Sequence, residues 1–239
     1  MANYYIGLST SGHDPAFAIA NDQGRIIFAE ASERFTQVKR AWGIAPDHAD
    51  HISPQLDKII AQDPRAQFHI ATSWTRAKQE LGGEDQSITA SPSSALVSIE
   101  LGNWIMGLQA QIHQYSGYNI RSLYKARIPA QTMHFDHHLC HAANAIYSAP
   151  FENAIVLVAD GEGETGSLSV FRMKNRVLKR LWRSWGPGSI GTFYCWLTSL
   201  CGFDWVAGEE WKVMGLAAYG KADMALVEKL EKILLIEDG

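Results

Sequence analysis

The sequence predicts an α/β fold built from two related halves, and one repeated pattern carries that prediction. Near the start of the chain, and again in its second half, a central strand ends in a turn rich in Gly and Asp and is followed by antiparallel strands. Helical periodicity alternates with these strands. Because both stretches follow one plan, we place the boundary near Phe151, with residues 1–150 as the first half and 151–239 as the start of the second.

The first half opens as a meander of strands. A short polar loop separates the first two predicted strands, and the turn at Gly24 precedes the third. A polar loop with Lys39 and Arg40 then leads into a helix and a further strand. The predicted order is therefore β-β-β-α-β, with strands over Tyr4 to Ser9, Ala16 to Ala20, Arg25 to Ala31 and Ala66 to Ala71, and the helix over Ser53 to Gln62.

The remaining elements follow a polar stretch from residue 76 to 94, which we expect to be a loop, and an amphipathic helix over about 95–115. Asp136 is the expected cap of the next helix because an aspartate accepts unpaired N-terminal amides. The apolar run that ends at Asp160 is typical of a strand covered on both faces. The predicted strands are 131–135, 154–160, 166–173 and 176–185, and the helices are 136–147, 190–200, 210–218 and 223–236.

The composition is that of a globular protein, with 46% hydrophobic residues and a formal net charge of -4. That charge argues against coating a polyanion, so we expect neither nucleic acid nor a membrane surface as a partner. No apolar run is long enough to span a bilayer and the start of the chain has no cleavable leader pattern, so we expect a cytoplasmic protein. The three cysteines lie in apolar stretches and are predicted to be reduced, buried thiols.

The segment Asp136-His137-His138-Leu139-Cys140-His141 carries the strongest chemical signal. Residues four apart on a helix share one face, so His137 and His141 can bind one metal ion, and Asp160 can add a carboxylate from the end of its strand. The alternative is that both are ordinary cap and core histidines. A zinc protease of the HExxH class needs Glu where His138 stands, and His138 is offset from His137 by about 100 degrees.

Two loops and one later segment are further candidates. Gly12 and His13 lie in a tight loop where glycine lets a ligand approach the backbone, although an exposed hairpin tip fits equally well. Gly161 and Gly163 allow phosphate approach, but the acids beside them make sense mainly with a cation nearby. Gly215 lies inside a predicted helix, where glycine costs about 1 kcal/mol relative to alanine, so it indicates close packing or a ligand.

Five motifs together resemble the carbamoyltransferase family that includes the nodulation-factor, cephamycin and tobramycin carbamoyltransferases. They occur in the family's order across nearly the whole chain. Three residues depart from the family pattern: Gln37 and Val38 replace basic residues after ERF, and Glu162 makes the turn more acidic. The motifs are GHDPAFAI at 12–19, ERFTQVK at 33–39, HHLCHAANAIY at 137–147, VADGEGE at 158–164 and GEEWKVMGLAAYG at 208–220.

The resemblance implies an actin-like, ribonuclease-H-like duplicated fold of two lobes, related to the threonylcarbamoyl transferases, with the second lobe incomplete in this chain. It implies a divalent metal, iron first with manganese or zinc as alternatives, held by His137, His141 and Asp160. It also implies His13 and Lys39 as catalytic residues, which we interpret as base and anion holder. The expected cofactor-binding residues are Gly12, Gly161, Gly163, Lys212 and Gly215.

The implied activity is ATP-dependent carbamoyl transfer. A C-terminal domain of the same polypeptide, which we expect this chain not to include, makes carbamoyl adenylate from carbamoyl phosphate and ATP. The metal-bearing domain then passes the carbamoyl group to a hydroxyl or amine of a small-molecule acceptor, as in antibiotic and other secondary-metabolite biosynthesis. The alternatives are a threonylcarbamoyl transferase acting on tRNA, a sugar-kinase or Hsp70-like ATPase, and a noncatalytic remnant.

Overall fold

A computed structural model of the chain describes residues 2–75, 108, 111–112, 114–129, 131–184 and 189–232. The chain divides into two compact units, Met1–Phe193 and Tyr194–Gly239. The loop predicted over 76–94 and most of the helix predicted over 95–115 lie outside the described residues. The boundary between halves predicted near Phe151 falls between a helix and a strand of the first unit.

The first unit contains a five-stranded sheet in the order β3-β2-β1-β4-β5. β1 is antiparallel to β2 and parallel to β4, and β4 is parallel to β5. The carboxyl ends of β1, β4 and β5 therefore meet at one edge of the sheet. The strands are β1 (Asn3–Leu8), β2 (Ala16–Asn21), β3 (Ile26–Ala31), β4 (Gln67–Thr72) and β5 (Met133–His134), which confirms the predicted order.

One face of this sheet carries the first core. The helix α2 (Ala49–Gln62) buries Ile52, Leu56 and Ile59, which recur at helical spacing, against strand residues such as Ile6. α3 (Tyr118–Tyr124) adds Ile120 to the same core. The short helix α1 (Ser32–Thr36) begins where we predicted a polar loop. Its five residues are too few to show a helical period in the sequence.

A second sheet of the first unit is fully antiparallel and has the order β6-β7-β8. Its strands are β6 (Ala154–Ala159), β7 (Leu168–Lys174) and β8 (Val177–Arg183). The helix α4 (His137–Ser148) covers one face with Ala142 and Ile146. α4 begins, as predicted, at Asp136, whose side chain accepts a hydrogen bond from the Leu139 amide at 2.9 Å.

Three further helices end the described chain: α5 (Ile190–Leu200), α6 (Glu210–Ala217) and α7 (Met224–Glu231). Their bounds were predicted within one residue where they can be compared, and the predicted helical residues 233–236 lie outside the described part of the chain. The three cysteines are free thiols, but Cys201 is exposed, so the prediction that all three are buried was wrong. Among the described helices, none has the length and apolar character that crossing a membrane requires.

Candidate functional site

Most predicted site residues of the first unit lie beyond the carboxyl ends of β1, β5 and β6, whereas Lys39 follows the helix α1. The segments 9–15, 73–75 and 135–137 follow β1, β4 and β5. Since these strands are parallel, the three segments gather at one edge of the sheet, the position where open α/β sheets bind ligands. Asp160 enters from the second sheet, directly after β6. The edge therefore combines residues separated by more than a hundred positions in the chain.

The structure brings the three predicted metal ligands together. The Nε2 atoms of His137 and His141, one turn apart on α4, are 3.1 Å from each other. Asp160 Oδ2 lies 2.9 Å from the Nε2 of His137 and 3.3 Å from that of His141. Two imidazole nitrogens and one carboxylate oxygen thus form a compact triangle.

This triangle fits a single divalent ion. Ligand atoms held about 2.1 Å from one ion at right or tetrahedral angles lie roughly 3.0–3.4 Å from each other, which matches the three separations. Asp160 Oδ1 accepts a hydrogen bond from the Gly161 amide at 2.6 Å. Asp160 Oδ2 is buried and accepts no hydrogen bond of good geometry from the residues that the structure describes. A buried carboxylate oxygen in that state is suited to a cation.

The His137 ring is held by the segment that follows β4. Its Nδ1 lies 3.2 Å from the Ser73 carbonyl oxygen, and its ring centroid lies 4.8 Å from that of Trp74. A carbonyl only accepts hydrogen bonds, so Nδ1 carries the proton and Nε2 keeps a lone pair. Histidine ligands of metals are commonly oriented through their second nitrogen in this way.

Glu164 holds the backbone at the start of α4. Both of its carboxylate oxygens lie 3.0 Å from the His137 amide, which donates to them. Glu164 Oε1 also accepts from the Thr75 amide at 3.1 Å and from the Thr75 hydroxyl at 3.4 Å. The glutamate therefore occupies the helix end where an anionic ligand would otherwise bind. Burial and the nearby Asp136 carboxylate raise the pKa of Glu164.

The neighbouring charges of the triangle change the pKa of Asp160 and that of His137. Burial alone would raise the pKa of Asp160, but His137 and His141 outweigh it and hold that pKa well below its usual range. Burial alone would lower the pKa of His137, yet the carboxylates of Asp160 and Glu164 raise it overall. A proton and a cation compete for the Nε2 lone pair of His137, so metal binding should weaken as the pH falls.

His138 and Cys140 lie outside the triangle although they interrupt the ligand motif. The His138 side chain is buried, its Nδ1 lies 2.8 Å from Ser169 Oγ, and burial lowers its pKa. Burial, together with the nearby Glu164 and Asp136 carboxylates, raises the pKa of Cys140 to about 12. A thiol with that pKa is a poor nucleophile at neutral pH.

The two glycines of the Asp160 turn are in close contact with other segments. A Cβ on Gly163 would lie 2.6 Å from Nε2 of His138, so packing against that ring explains this glycine. The Gly161 carbonyl accepts a hydrogen bond from Ser189 Oγ at 2.6 Å, and a Cβ on Gly191 would lie 2.9 Å from the Gly161 Cα. The start of α5 therefore packs on this turn. The cofactor contacts predicted for Gly161 and Gly163 stay predictions.

The loop that carries His13 is joined to the loop around Arg40. The Asp14 amide donates to the Arg40 carbonyl at 2.7 Å, and the Gly43 amide donates to the Gly12 carbonyl at 3.1 Å. Several residues of these loops have positive φ, an uncommon conformation for those other than glycine. They are Gly12 (94°), Asp14 (48°), Arg40 (58°), Ala41 (41°) and Gly43 (73°). Such concentrated backbone strain is typical of functional sites.

Within these loops His13 is paired with a carboxylate. Its Nδ1 lies 2.6 Å from Asp14 Oδ2, and its ring centroid lies 4.8 Å from that of Trp42. With Nδ1 donating to Asp14, the other ring nitrogen, Nε2, is left as a proton acceptor. Burial raises the pKa of Asp14, but the hydrogen bond from His13 and the Arg40 charge lower it overall, so the carboxylate stays ionised.

The basic side chain beside this pair belongs to Arg40. Arg40 Nε lies 3.5 Å from Asp14 Oδ2, and its guanidinium carbon lies 5.2 Å from the Trp42 ring centroid. The Lys39 side chain is exposed. The Arg40 amide donates to Glu33 Oε2 at 3.0 Å, so the glutamate of the ERF motif holds this loop. A role for Lys39 in holding an anion stays a prediction.

Sequence reasoning missed several residues of the site. Trp42, Ser73, Trp74 and Thr75 have no pattern of their own in the sequence, Asp14 was quoted only within the motif GHDPAFAI, and Arg40 was considered only as part of a basic pair. Glu164 was noticed only as an extra acid. The one available signal was position, since each lies within a few residues of a strand end or a motif.

Lys212 and Gly215 belong to the second unit. The Lys212 ammonium pairs with the Glu209 carboxylate and lies 5.6 Å from the Phe203 ring centroid. Among the described residues a Cβ on Gly215 would meet no atom within 4 Å, so close packing within that part of the chain does not explain the glycine. The cofactor contacts predicted for both residues stay predictions.

Comparison with known proteins identifies similar chains. The family model described as the carbamoyltransferase N-terminus matches residues 4–235. The chain is 40% identical over 86 residues to an uncharacterized protein of Synechocystis sp., a match covering 36% of this chain and 14% of that protein. It is 32% identical over 113 residues to an uncharacterized protein of Methanocaldococcus jannaschii, covering 41% and 18%. The matches thus span less than a fifth of either relative.

Two solved structures show a distant overall similarity. A ROK family protein from Streptococcus pneumoniae, in complex with sucrose, gives a TM-score of 0.41 at 14% identity, covering 92% of this chain and 68% of that one. The Ppx/GppA family member from Aquifex aeolicus gives 0.30 at 12% identity, covering 78% and 52%.

Proposed function

The chain belongs to the family of the carbamoyltransferase N-terminus, and on that premise we propose that it carries the transfer half of an ATP-dependent carbamoylation. The donor is carbamoyl adenylate, which a further domain of the polypeptide makes from carbamoyl phosphate and ATP. The acceptor is a hydroxyl or amine of a small-molecule natural product. The repeated strand meander supports the finer assignment to an actin-like duplicated fold.

One observation carries this proposal. The triangle of His137, His141 and Asp160 follows the strands β5 and β6, and the pair of His13 and Asp14 follows β1. A group transfer from a mixed anhydride needs a means of polarising the carbonyl and a base for the acceptor. The first cluster suits an electrophilic metal and the second suits a base.

Residues of this chain supply the proton transfer. The acceptor oxygen attacks the carbamoyl carbon, the bond from that carbon to the phosphate oxygen breaks, and AMP leaves with the bonding electron pair. His13 Nε2 takes the proton that the acceptor hydroxyl loses. Asp14 holds the ring through Nδ1 and stabilises the imidazolium that forms. Arg40, with Lys39 on the same loop, supplies positive charge for the phosphate of the donor.

His137, His141 and Asp160 are the residues that would hold a divalent metal, which we propose to be iron, with manganese or zinc as alternatives. Such an ion, when bound, polarises the carbamoyl carbonyl as a Lewis acid. Two imidazoles and one carboxylate are a donor set that accepts any of these three metals.

Replacing one ligand tests the proposal. In the polypeptide that includes the adenylate-forming domain, His141→Ala should abolish stoichiometric metal and carbamoyl transfer, because only two ligands of the triangle remain. His138→Ala is the matched control on the neighbouring position and should keep a full equivalent of metal. Elemental analysis gives the metal content, and AMP release in the presence of acceptor gives the transfer rate. A full equivalent of metal on His141→Ala would show that the ligand assignment is wrong.

A further inference from the structure

We propose that Glu164 is the positioning residue of the metal ligand His137, acting through the segment Ser73-Trp74-Thr75. The inference rests on the metal site proposed above but concerns how the site is formed before any ion arrives. The Glu164 carboxylate contacts His137 at its backbone amide. It acts on the backbone at the start of α4 and on the end of β4.

The first step is a bridge between two segments. The carboxylate of Glu164 accepts from the amide of Thr75, three residues beyond the end of β4, and from the amide of His137, the first residue of α4. These amides belong to positions 62 residues apart in the sequence. Hydrogen bonds to a charged acceptor are stronger than those between neutral groups, so the bridge holds both segments in place.

The second step is the effect of that bridge on the imidazole. With Thr75 held beside His137, the two preceding residues face the His137 ring. The Ser73 carbonyl accepts from Nδ1, and Trp74 packs against the ring. Together they fix both the tautomer and the tilt of the ring, which leaves the Nε2 lone pair directed at the triangle.

The third step separates this role from ordinary helix capping. α4 already has a cap, because Asp136 accepts from the Leu139 amide and is itself paired with Arg180. Placing a second, partly buried carboxylate near Asp136 costs free energy by desolvation and by like-charge repulsion. Glu164 is thus not needed to begin the helix, and its contacts are explained by what they do to His137.

The test replaces Glu164 with a shorter acidic residue, so that the charge is kept but the side chain is shorter. Glu164→Asp retains a carboxylate but removes one methylene, so it cannot span the Thr75 and His137 amides together. Glu162→Asp makes the same change two residues away in the same turn and is the matched control. In the metal-free chain, nitrogen NMR of the imidazoles at a pH where they are neutral should find His137 in the Nδ1–H tautomer. Glu164→Asp should show a mixture of tautomers.

The same variants are titrated with Co²⁺ alone, measured by calorimetry and by the visible bands of the bound ion. Loss of such an outer contact typically weakens metal binding about 10- to 100-fold, so we expect that loss for Glu164→Asp and less than about threefold for Glu162→Asp. A wild-type His137 that is not in the Nδ1–H tautomer would overturn the proposal whatever the variants do. So would Glu164→Asp with unchanged tautomer and Co²⁺ affinity and only a lower melting temperature.

Failure of the proposed metal site has a different signature. A wild-type chain that binds no Co²⁺, with His137 still in the Nδ1–H tautomer and Glu164→Asp still mixing tautomers, would refute the metal site and leave the positioning of His137 intact. If the wild type binds Co²⁺ and the two variants do not differ, the metal site stands and the positioning role of Glu164 is refuted.

Discussion

The turn after β1 and the turn after β6 close in the same way. The Ser9 amide donates to the Ala16 carbonyl at 2.9 Å, and the Asp160 amide donates to the Ser167 carbonyl at 2.9 Å. Because residues 10–15 and 161–166 fill the two turns, His13 and Glu164 occupy equivalent positions, as do Gly12 and Gly163. One turn places the proposed base there and the other places the residue that holds His137. Two turns of equal length, closed by the same backbone hydrogen bond, therefore carry residues with different proposed roles.

Burial separates the two meanders. Counting back from the equivalent turns, Ile6 of β1 corresponds to Leu157 of β6, yet Ile6 is 0% exposed and Leu157 is 67% exposed. In the first sheet the face of Ile6 is covered by α2, whereas in the second the opposite face, with Val156 and Val158, is covered by α4. The alternation of a strand decides which residues share a face, and the helix beside it decides which face becomes core.

The difference in burial predicts that truncation at equivalent strand positions has different effects on stability. Equal effects would refute it most clearly. Ile6→Ala should lower the free energy of unfolding by about 2–5 kcal/mol, because it leaves a cavity in a packed core. Leu157→Ala should change it by less than about 0.5 kcal/mol. Urea denaturation of both variants measures the difference. A loss above about 2 kcal/mol for Leu157→Ala would mean that β6 is covered on both faces in solution.

Gly12 and Gly163 occupy equivalent positions, but Gly12 has positive φ and Gly163 does not. Backbone conformation therefore does not explain Gly163, and its packing can be tested by substitution. Gly163→Ala should cost about 1–3 kcal/mol, because its methyl group would overlap the buried His138 ring. Gly161→Ala, where a Cβ meets no described atom within 4 Å, should cost less than about 0.5 kcal/mol. Thermal unfolding gives both values. Equal effects of the two substitutions would contradict the packing explanation and favour a shared role in binding a ligand.

The smallest expected effect concerns Asp14 in the first turn. Its folded pKa is lowered, so its interaction with His13 and Arg40 stabilises the fold above the unfolded pKa near 3.8 and is lost as the pH falls below it. Asp14→Asn should therefore lose a few tenths to about 1 kcal/mol at pH 7, the scale of a half-exposed ion pair. Unfolding curves of both proteins should converge as the pH falls below 3.8. A difference that persists at low pH would point to a neutral hydrogen bond instead.

Most of the fold followed from local pattern. The strands of both meanders were predicted within one or two residues because apolar runs and turn residues mark them directly. α1 was missed because five residues show no period. The ligand triangle was accessible because His137 and His141 lie one helical turn apart and Asp160 ends a strand.

Contacts between segments far apart in the sequence could not be predicted from local pattern. Glu164 reaches Thr75 across 89 positions, and Ser73 reaches His137 across 64 through a main-chain carbonyl, which every residue type has. The position of Arg40 beside Asp14 is linked to the positive φ of Arg40 and its neighbours. The sequence did not distinguish it from Lys39 in this respect. No residue pattern shows that the chain will turn there.

Ser73 contacts both the loop that carries His13 and the proposed metal ligand His137, the first through its side chain and the second through its main chain. Its hydroxyl oxygen accepts from the Thr10 amide at 3.1 Å, in the loop that carries His13, while its carbonyl orients His137. A scan of alanine substitutions would delete only the first of these links. The second belongs to the main chain and persists in every variant except those that move the strand. An apparently tolerant position in such a scan would thus conceal the residue that joins the two sites, and only a backbone change such as an ester in place of the amide would reveal it.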